Sequence, residues 1–253
     1  MKRIFAMLLL LCCLVTLVAC NSGENKTVDP QKESDTTEKP SNYDEDGNLI
    51  SIDQSDPLVE FEAKSTRDIY EEDGMAHENS YRIPKLNVNL YGANTISERI
   101  YSDFKNEFGT HFAMLDDLSG EKVHTGEPFL TVDYSYSCAF DVVTVIVKGT
   151  YTYISGEVTD KYLVYYYDAL TDEELTFDDY VTYCALSGDS LHEAVESDLT
   201  ANHPESLNDY TISYITKTGD KTYDLYVTLN TGNMIVISAE IESVEFDMSM
   251  FGG

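Results

Sequence analysis

The chain has 253 residues, 46 of them Asp or Glu against 16 Lys or Arg, for a formal net charge of −30. Nucleic-acid binding needs clustered Lys and Arg to neutralise phosphates, so this balance excludes it, and it disfavours attraction to anionic lipid headgroups. Five cysteines with no C-x-x-C or H-E-x-x-H spacing speak against a disulfide scaffold and a zinc site.

The chain opens with Met1-Lys2-Arg3, a short basic segment. An uninterrupted apolar run from Ile4 to Val18 follows and ends in Leu17-Val18-Ala19-Cys20. A spanning helix needs about 20 apolar residues, so this run reads as a signal peptide over 1–19. A small residue followed by Cys after two aliphatic residues is the lipobox pattern. Its thiol takes a diacylglycerol through a thioether, so Cys20 is the expected lipid-attachment site and new N-terminus, and two or more acyl chains make such an anchor stable. The expected location is the extracytoplasmic face of the cell membrane. Loss of Lys2 and Arg3 with the leader leaves 14 basic against 46 acidic residues, a charge of −32. Such a charge draws cationic partners, although it also serves simply to keep an extracellular protein soluble.

Residues 20–55 read as a flexible tether, rich in Ser, Thr, Lys, Glu, Asp and Pro and too poor in apolar residues to fold. About 34 residues of such chain reach roughly 30–35 Å. Within it, Asn42, Asp44, Asp46, Gly47 and Asp53 fall at calcium-loop positions. The first ligand is Asn, the last is Asp rather than a bidentate Glu, and no amphipathic helix flanks them, so an ordinary turn fits better and no metal is expected.

A single folded domain is expected over 56–253. Residues 80–90 read as extended. Thr95-x-x-Glu98 has the form of a capping box, and Ile96, Ile100, Phe104, Phe108 and Leu115 recur at helical spacing, predicting a helix over about 95–117. From Phe129 the period is two: Val132, Tyr134, Tyr136 and Cys138 share a face. Val142–Val147, nearly all apolar and β-branched, predicts a central strand covered on both faces. Thr150–Ile154 continues it to a turn at Ser155-Gly156, and 161–168 is a further strand in which Tyr165-Tyr166-Tyr167 should expose at least one ring on each face.

Two short helices follow. Phe177, Val181 and Cys184 share a face of the first. Leu191, Ala194, Val195 and Leu199 share one of the second, with Asp189 as its cap and His203-Pro204 as its end. Three strands close the chain, over 210–214, 223–229 and 235–241. The pattern predicts an α+β fold: antiparallel sheet or sheets with a long N-terminal helix and two short helices inserted between strand runs, in two halves of about 80–160 and 161–246.

No Gly-x-Ser-x-Gly elbow, phosphate loop or dinucleotide fingerprint is present, and the five histidines are scattered. Carboxylate pairs such as Glu71-Glu72, Asp116-Asp117, Glu173-Glu174 and Asp178-Asp179 are uninformative in so acidic a chain. No catalytic residue, cofactor or metal is therefore expected. Cys138 and Cys184 sit on apolar faces, either as buried free thiols or as one disulfide. The 19 tyrosines either pack along strands or offer surface for sugars and proteins.

The stretch Tyr166-Tyr167-Asp168-Ala169-Leu170-Thr171-Asp172-Glu173-Glu174-Leu175-Thr176-Phe177-Asp178-Asp179-Tyr180 resembles a bacterial extracellular domain family of unknown general function. That family is shared by the ectodomains of lysozyme-sensing anti-sigma factors and the non-catalytic region of some peptidoglycan deacetylases. Asp168, Thr171, Leu175, Thr176 and Asp179 match its pattern, and Ile83-Pro84 with the following helix resembles its N-terminal half. The family's Gly after the Thr is Asp172 here, which a left-handed turn accepts more readily than most residues. Its Gly-Gly-Ala-His segment appears only as Ser155-Gly156-Glu157-Val158, so no ligand site carries over. The resemblance implies a non-catalytic α+β domain that binds at the cell surface. The implied partner is a cationic protein such as lysozyme or, alternatively, an envelope glycan such as peptidoglycan, to which the domain would be an accessory module.

Overall fold

The computed structural model describes residues 49–69, 76–116 and 128–243. The expected signal peptide, Cys20, most of the tether and residues 42–48 of the calcium-like loop lie outside them.

A six-stranded sheet carries the fold, in the order β1-β2-β3-β4-β5-β6. Its strands are β1 (Leu58–Ile69), β2 (Ala76–Leu86), β3 (Phe129–Ala139), β4 (Val142–Thr152), β5 (Val158–Asp168) and β6 (Glu173–Leu175). All neighbours are antiparallel except β2 and β3, which run parallel through Ser80↔Thr131 and Tyr81↔Val132. The sheet is therefore mixed, where an antiparallel one was expected. The cause is the helix α1 (Tyr91–Asp116) between β2 and β3, since a parallel neighbour can be reached only by a crossover of this kind. The long helix is thus the third element rather than N-terminal, two strands preceding it. β1 was not foreseen because its residues Glu60, Glu62, Lys64 and Arg67 hide the alternation. Charge of this sort is usual on an edge strand, where it deters pairing with other chains.

Helix α1 starts four residues before the expected Thr95. Thr95 lies inside it, donating its hydroxyl to the Tyr91 carbonyl at 2.9 Å, so Thr95-x-x-Glu98 is not a capping box. Ile96, Ile100, Phe104, Phe108 and Phe112 form its buried stripe; the side chain of Leu115 lies outside the described residues. Each buried side chain of this kind contributes roughly 1.5–3 kcal/mol. Their partners are Val143, Val145 and Val147 of β4 with Tyr165 and Tyr167 of β5. Gly149 of β4 is needed here, because a Cβ would stand 2.5 Å from the Phe108 ring.

The opposite face of the same strands is covered by a second core. The helices α2 (Phe177–Tyr183) and α3 (Gly188–Asn202), and the antiparallel sheet β7-β8-β9 (Tyr210–Lys217, Thr222–Leu229, Met234–Glu240), pack there with Val142, Val164 and Tyr166. The alternation of β4 between the cores confirms a central strand with both faces buried. The expected boundary near 160 does not part the cores, since β5 serves both. Ser187, not Asp189, caps α3, its Oγ accepting the Ser190 N–H at 3.1 Å. Folded structure also begins before residue 56: Ile52 is buried against the first core, and Gln54 donates to the Phe140 carbonyl at 2.7 Å. Among the described residues no helix is long and apolar enough to cross a membrane.

Candidate functional site

The stretch 166–180 builds one corner of the fold, and most of its polar side chains are bound by the chain itself. Tyr165, Tyr166 and Tyr167 are all buried, against the expectation that rings would be exposed on both faces. Tyr165 and Tyr167 point to the first core and Tyr166 to the second, and each hydroxyl is satisfied. Tyr165 donates to Asp103 at 3.1 Å and Tyr167 to Asp172 at 3.0 Å. The Tyr166 hydroxyl donates to the Ile215 carbonyl at 2.9 Å and accepts the Ile215 N–H at 3.0 Å, so it closes the backbone of the edge strand β7. Burial pushes all three phenols well above the ordinary tyrosine range.

Asp168 accepts the N–H groups of Leu170 and Thr171 at 2.8 and 3.3 Å and so folds the turn after β5. Asp172, with φ 54°, is buried in that turn, and its carboxylate accepts from Gly92 and Ala93 at the start of α1. Thr176 and Asp179 form a reciprocal capping box that opens α2 and holds the Asp179 carboxyl below the usual carboxylate range. Tyr180 stacks on Tyr166 with ring centroids 4.3 Å apart. The stretch that carries the resemblance thus ties β5, α1 and α2 together at one corner of the fold.

This corner holds up a surface at one end of the large sheet. Phe140 and Asp141 form the two-residue turn between β3 and β4. Phe140 takes φ 54°, a left-handed conformation that favours glycine and costs a bulky residue about 1–2 kcal/mol, and its ring is 65% exposed. Tyr183, at the end of α2, meets it edge-on with centroids 5.9 Å apart, and its hydroxyl lies 3.4 Å from the Asp141 N–H. The Ala169 N–H binds the Asp141 carbonyl at 2.8 Å, which brings the β5–β6 turn alongside and presents Leu170, 60% exposed. Tyr136 is exposed beside the 53–56 turn and donates to the Ser55 carbonyl at 3.2 Å. Asp53, Asp56 and Asp141, in the 53–56 and 140–141 turns, are exposed, and the Asp53 carboxylate accepts the N–H and hydroxyl of Ser55. Periodicity could not reveal this surface, because turn residues have no repeating face.

The remaining expected residues are dispersed. Cys138 and Cys184 are free thiols. Cys138 packs toward the first core and Cys184 lies in the second, so the large sheet separates them and no disulfide forms. His192 is exposed, with Nδ1 2.6 Å from the Tyr210 hydroxyl, beside a groove of about 580 Å³ lined by Phe177, Val181, Leu186, Leu191 and Ile212. His111 is half-buried against Asn79, and His203 caps the end of α3. Among the described residues no group of three or more His, Cys, Asp or Glu is placed to hold a metal ion. His124, Glu71, Glu72 and Asp117 lie outside the described residues, as do the side chains of His77 and Asp116.

No family model and no curated protein matches this chain. Among solved structures it is similar to a DUF3298 family protein from Pseudomonas aeruginosa PAO1, with 11% identity over 67% of this chain and 81% of that one and a TM-score of 0.41. It is also similar to a DUF3298 family member from Bacteroides fragilis NCTC 9343, with 9% identity over 74% and 95% and a TM-score of 0.33. Likeness at this level assigns no site and no activity.

Proposed function

We propose that this chain is a lipid-anchored cell-surface protein whose α+β domain binds a cationic protein, with lysozyme as the specific candidate, and catalyses no reaction. The supporting observation is the end of the large sheet, where Phe140, Tyr183, Tyr136 and Leu170 stand exposed at turns that also carry the exposed residues Asp53, Asp56 and Asp141. Large exposed apolar groups rimmed by charge mark interaction surfaces, and aromatic rings beside carboxylates suit Arg and Lys side chains. The net charge of −30 would steer such a partner inward. A bulky residue kept at positive φ with its ring in water is a strain that folding alone does not require.

The test is a titration of the leaderless protein with lysozyme at low and then physiological salt. A defined stoichiometry that survives physiological salt, and is lost in Phe140→Gly with Tyr183→Ala, supports the reading. Binding that vanishes with salt is nonspecific attraction, and no binding at low salt sinks the proposal. The anchor has its own test: Cys20→Ser should abolish labelling by a fatty acid and release the protein from the membrane fraction.

A further inference from the structure

The strand β7 is an edge of the smaller sheet, and its residues 210–216 carry no charge. Edge strands are normally blunted by charge, as β1 is, because their outward N–H and C=O groups pair with any strand that arrives. On β7 these outward groups are closed over one half of the strand only. The alternation of the ladder turns Ile215 and Lys217 away from β8. There the Tyr166 hydroxyl binds both backbone groups of Ile215, and the Tyr180 hydroxyl lies 3.4 Å from the Lys217 nitrogen. Ser213 is an extra residue between the pairs Ile212↔Val227 and Tyr214↔Tyr226, so beyond it Tyr210 and Ile212 face outward. No described side chain closes the Ile212 groups in this way.

This open half of β7 borders the groove of about 580 Å³ whose apolar walls are Phe177, Val181, Leu186, Leu191 and Ile212. Tyr210, which also lines it, is held by His192 Nδ1 at 2.6 Å and by the Glu196 carboxylate at 3.4 Å. Residues 177–212, which supply all of the walls, include eight Asp or Glu and no Lys or Arg. Asp178 lines the groove itself, and Asp189, Glu193 and Glu196 are exposed on α3.

We propose that this edge takes up an extended basic peptide as an added strand, with apolar side chains in the groove and Lys or Arg side chains against the acidic surface around it. The open backbone of β7 selects an extended chain, the walls select apolar side chains, and the charge selects cations. A second copy of this protein is a poorer match, since it brings the same acidic surface and its own β7 offers no cation before Lys217. Residues 244–253 of this chain, with Glu245 and Asp247 and no Lys or Arg, are a poor match for the same reason. Pairing is confined to residues 210–212, roughly 10 Å of strand at about 3.3 Å per residue, because the Tyr166 and Tyr180 hydroxyls occupy the edge beyond Ser213. The site uses none of the residues named at the Phe140 end, so it stands or falls independently of cationic-protein binding there.

The experiment is an amide-resonance titration of the leaderless protein with the end-blocked peptide Lys-Leu-Lys-Val-Lys to about 2 mM, a range that detects weak binding. Saturable shifts confined to residues 177–182, 186–192 and 210–213 are expected. Glu-Leu-Glu-Val-Glu and Lys-Ser-Lys-Ser-Lys should each bind about tenfold more weakly or not at all. A strand pairs through alternate backbone groups, so of two peptides N-methylated on alternate residues, one should lose about tenfold or more in affinity and the other should keep it. Asp178→Asn with Glu196→Gln should weaken the basic peptide about threefold or more. Equal effects of the two methylation patterns, equal binding of the acidic peptide, or no localised shifts would each overturn the proposal. So would shifts at 210–213 that grow with protein concentration in the absence of peptide, the mark of a second copy on this edge. Binding retained in Phe140→Gly with Tyr183→Ala separates this site from the cationic-protein surface, and loss there would place the peptide at that surface instead.

Discussion

The carboxylate of Asp172 accepts the N–H groups of Gly92 and Ala93 at 2.9 and 3.0 Å, so a residue in the β5–β6 turn caps a helix that starts eighty positions earlier. Leu90, which precedes the helix, has no side chain able to satisfy those groups. The same carboxylate accepts the Tyr167 hydroxyl, and a Cβ on Gly92 would lie 1.9 Å from the Asp172 carbonyl oxygen. Helix α1, the turn and β5 are therefore fixed to one another through one buried acid.

Asp172→Ala should destabilise the protein by about 2–4 kcal/mol, because it removes the cap and leaves three donors without their partner. Gly92→Ala should be comparably harmful through overlap with the Asp172 backbone. Urea unfolding of each variant measures this; a loss under 1 kcal/mol for both would mean the helix start is held by other contacts (about that size separates a cap from a neutral site).

Helix α2 ends in a Schellman motif, with the Leu186 N–H on the Val181 carbonyl and the Ala185 N–H on the Thr182 carbonyl, both at 3.0 Å. Ala185 takes φ 54° where glycine is usual. Ala185→Gly should raise stability by about 1 kcal/mol, read as a higher urea midpoint at unchanged slope.

Tyr166→Phe should cost about 1–3 kcal/mol, since both Ile215 backbone groups lose their partner inside the second core. The contrast is Tyr183→Phe, whose hydroxyl is exposed and makes one long contact, and which should be nearly neutral. Equal effects of the two substitutions would contradict a special role for Tyr166 in closing β7.

Burial lowers the pKa of His111 from 6.5, and its Nε2 lies 2.9 Å from the Asn79 Oδ1 that also accepts the Leu130 N–H. A folded-state pKa below the unfolded one means the unfolded chain binds the proton more readily. The stabilising contribution is therefore full above pH 6.5 and declines as pH falls through that value toward the lower folded pKa. Between pH 8 and 5 the native protein should lose more stability than His111→Gln. Parallel Tm curves for the two proteins would count against this account.

Much of the secondary structure is determined by local pattern. The stripe Ile96, Ile100, Phe104 and Phe108, the two-faced burial of Val142–Val147 and the final three strands all follow from periods of 3.6 and 2, which bury a face wherever that face packs. The charge balance, the apolar run that ends at Ala19-Cys20 and the Thr176–Asp179 capping box are equally local features of the chain. What the tertiary structure decided lies between distant residues. The parallel β2–β3 pairing, the capping of α1 by Asp172 instead of Thr95, and the complete burial of Tyr165-Tyr166-Tyr167 depend on elements that meet only after folding. The Phe140–Tyr183 surface belongs to the same class. Turns and bulges have no periodic face, so the neighbours of their side chains are set by the packing of whole layers rather than by the residues beside them in the chain.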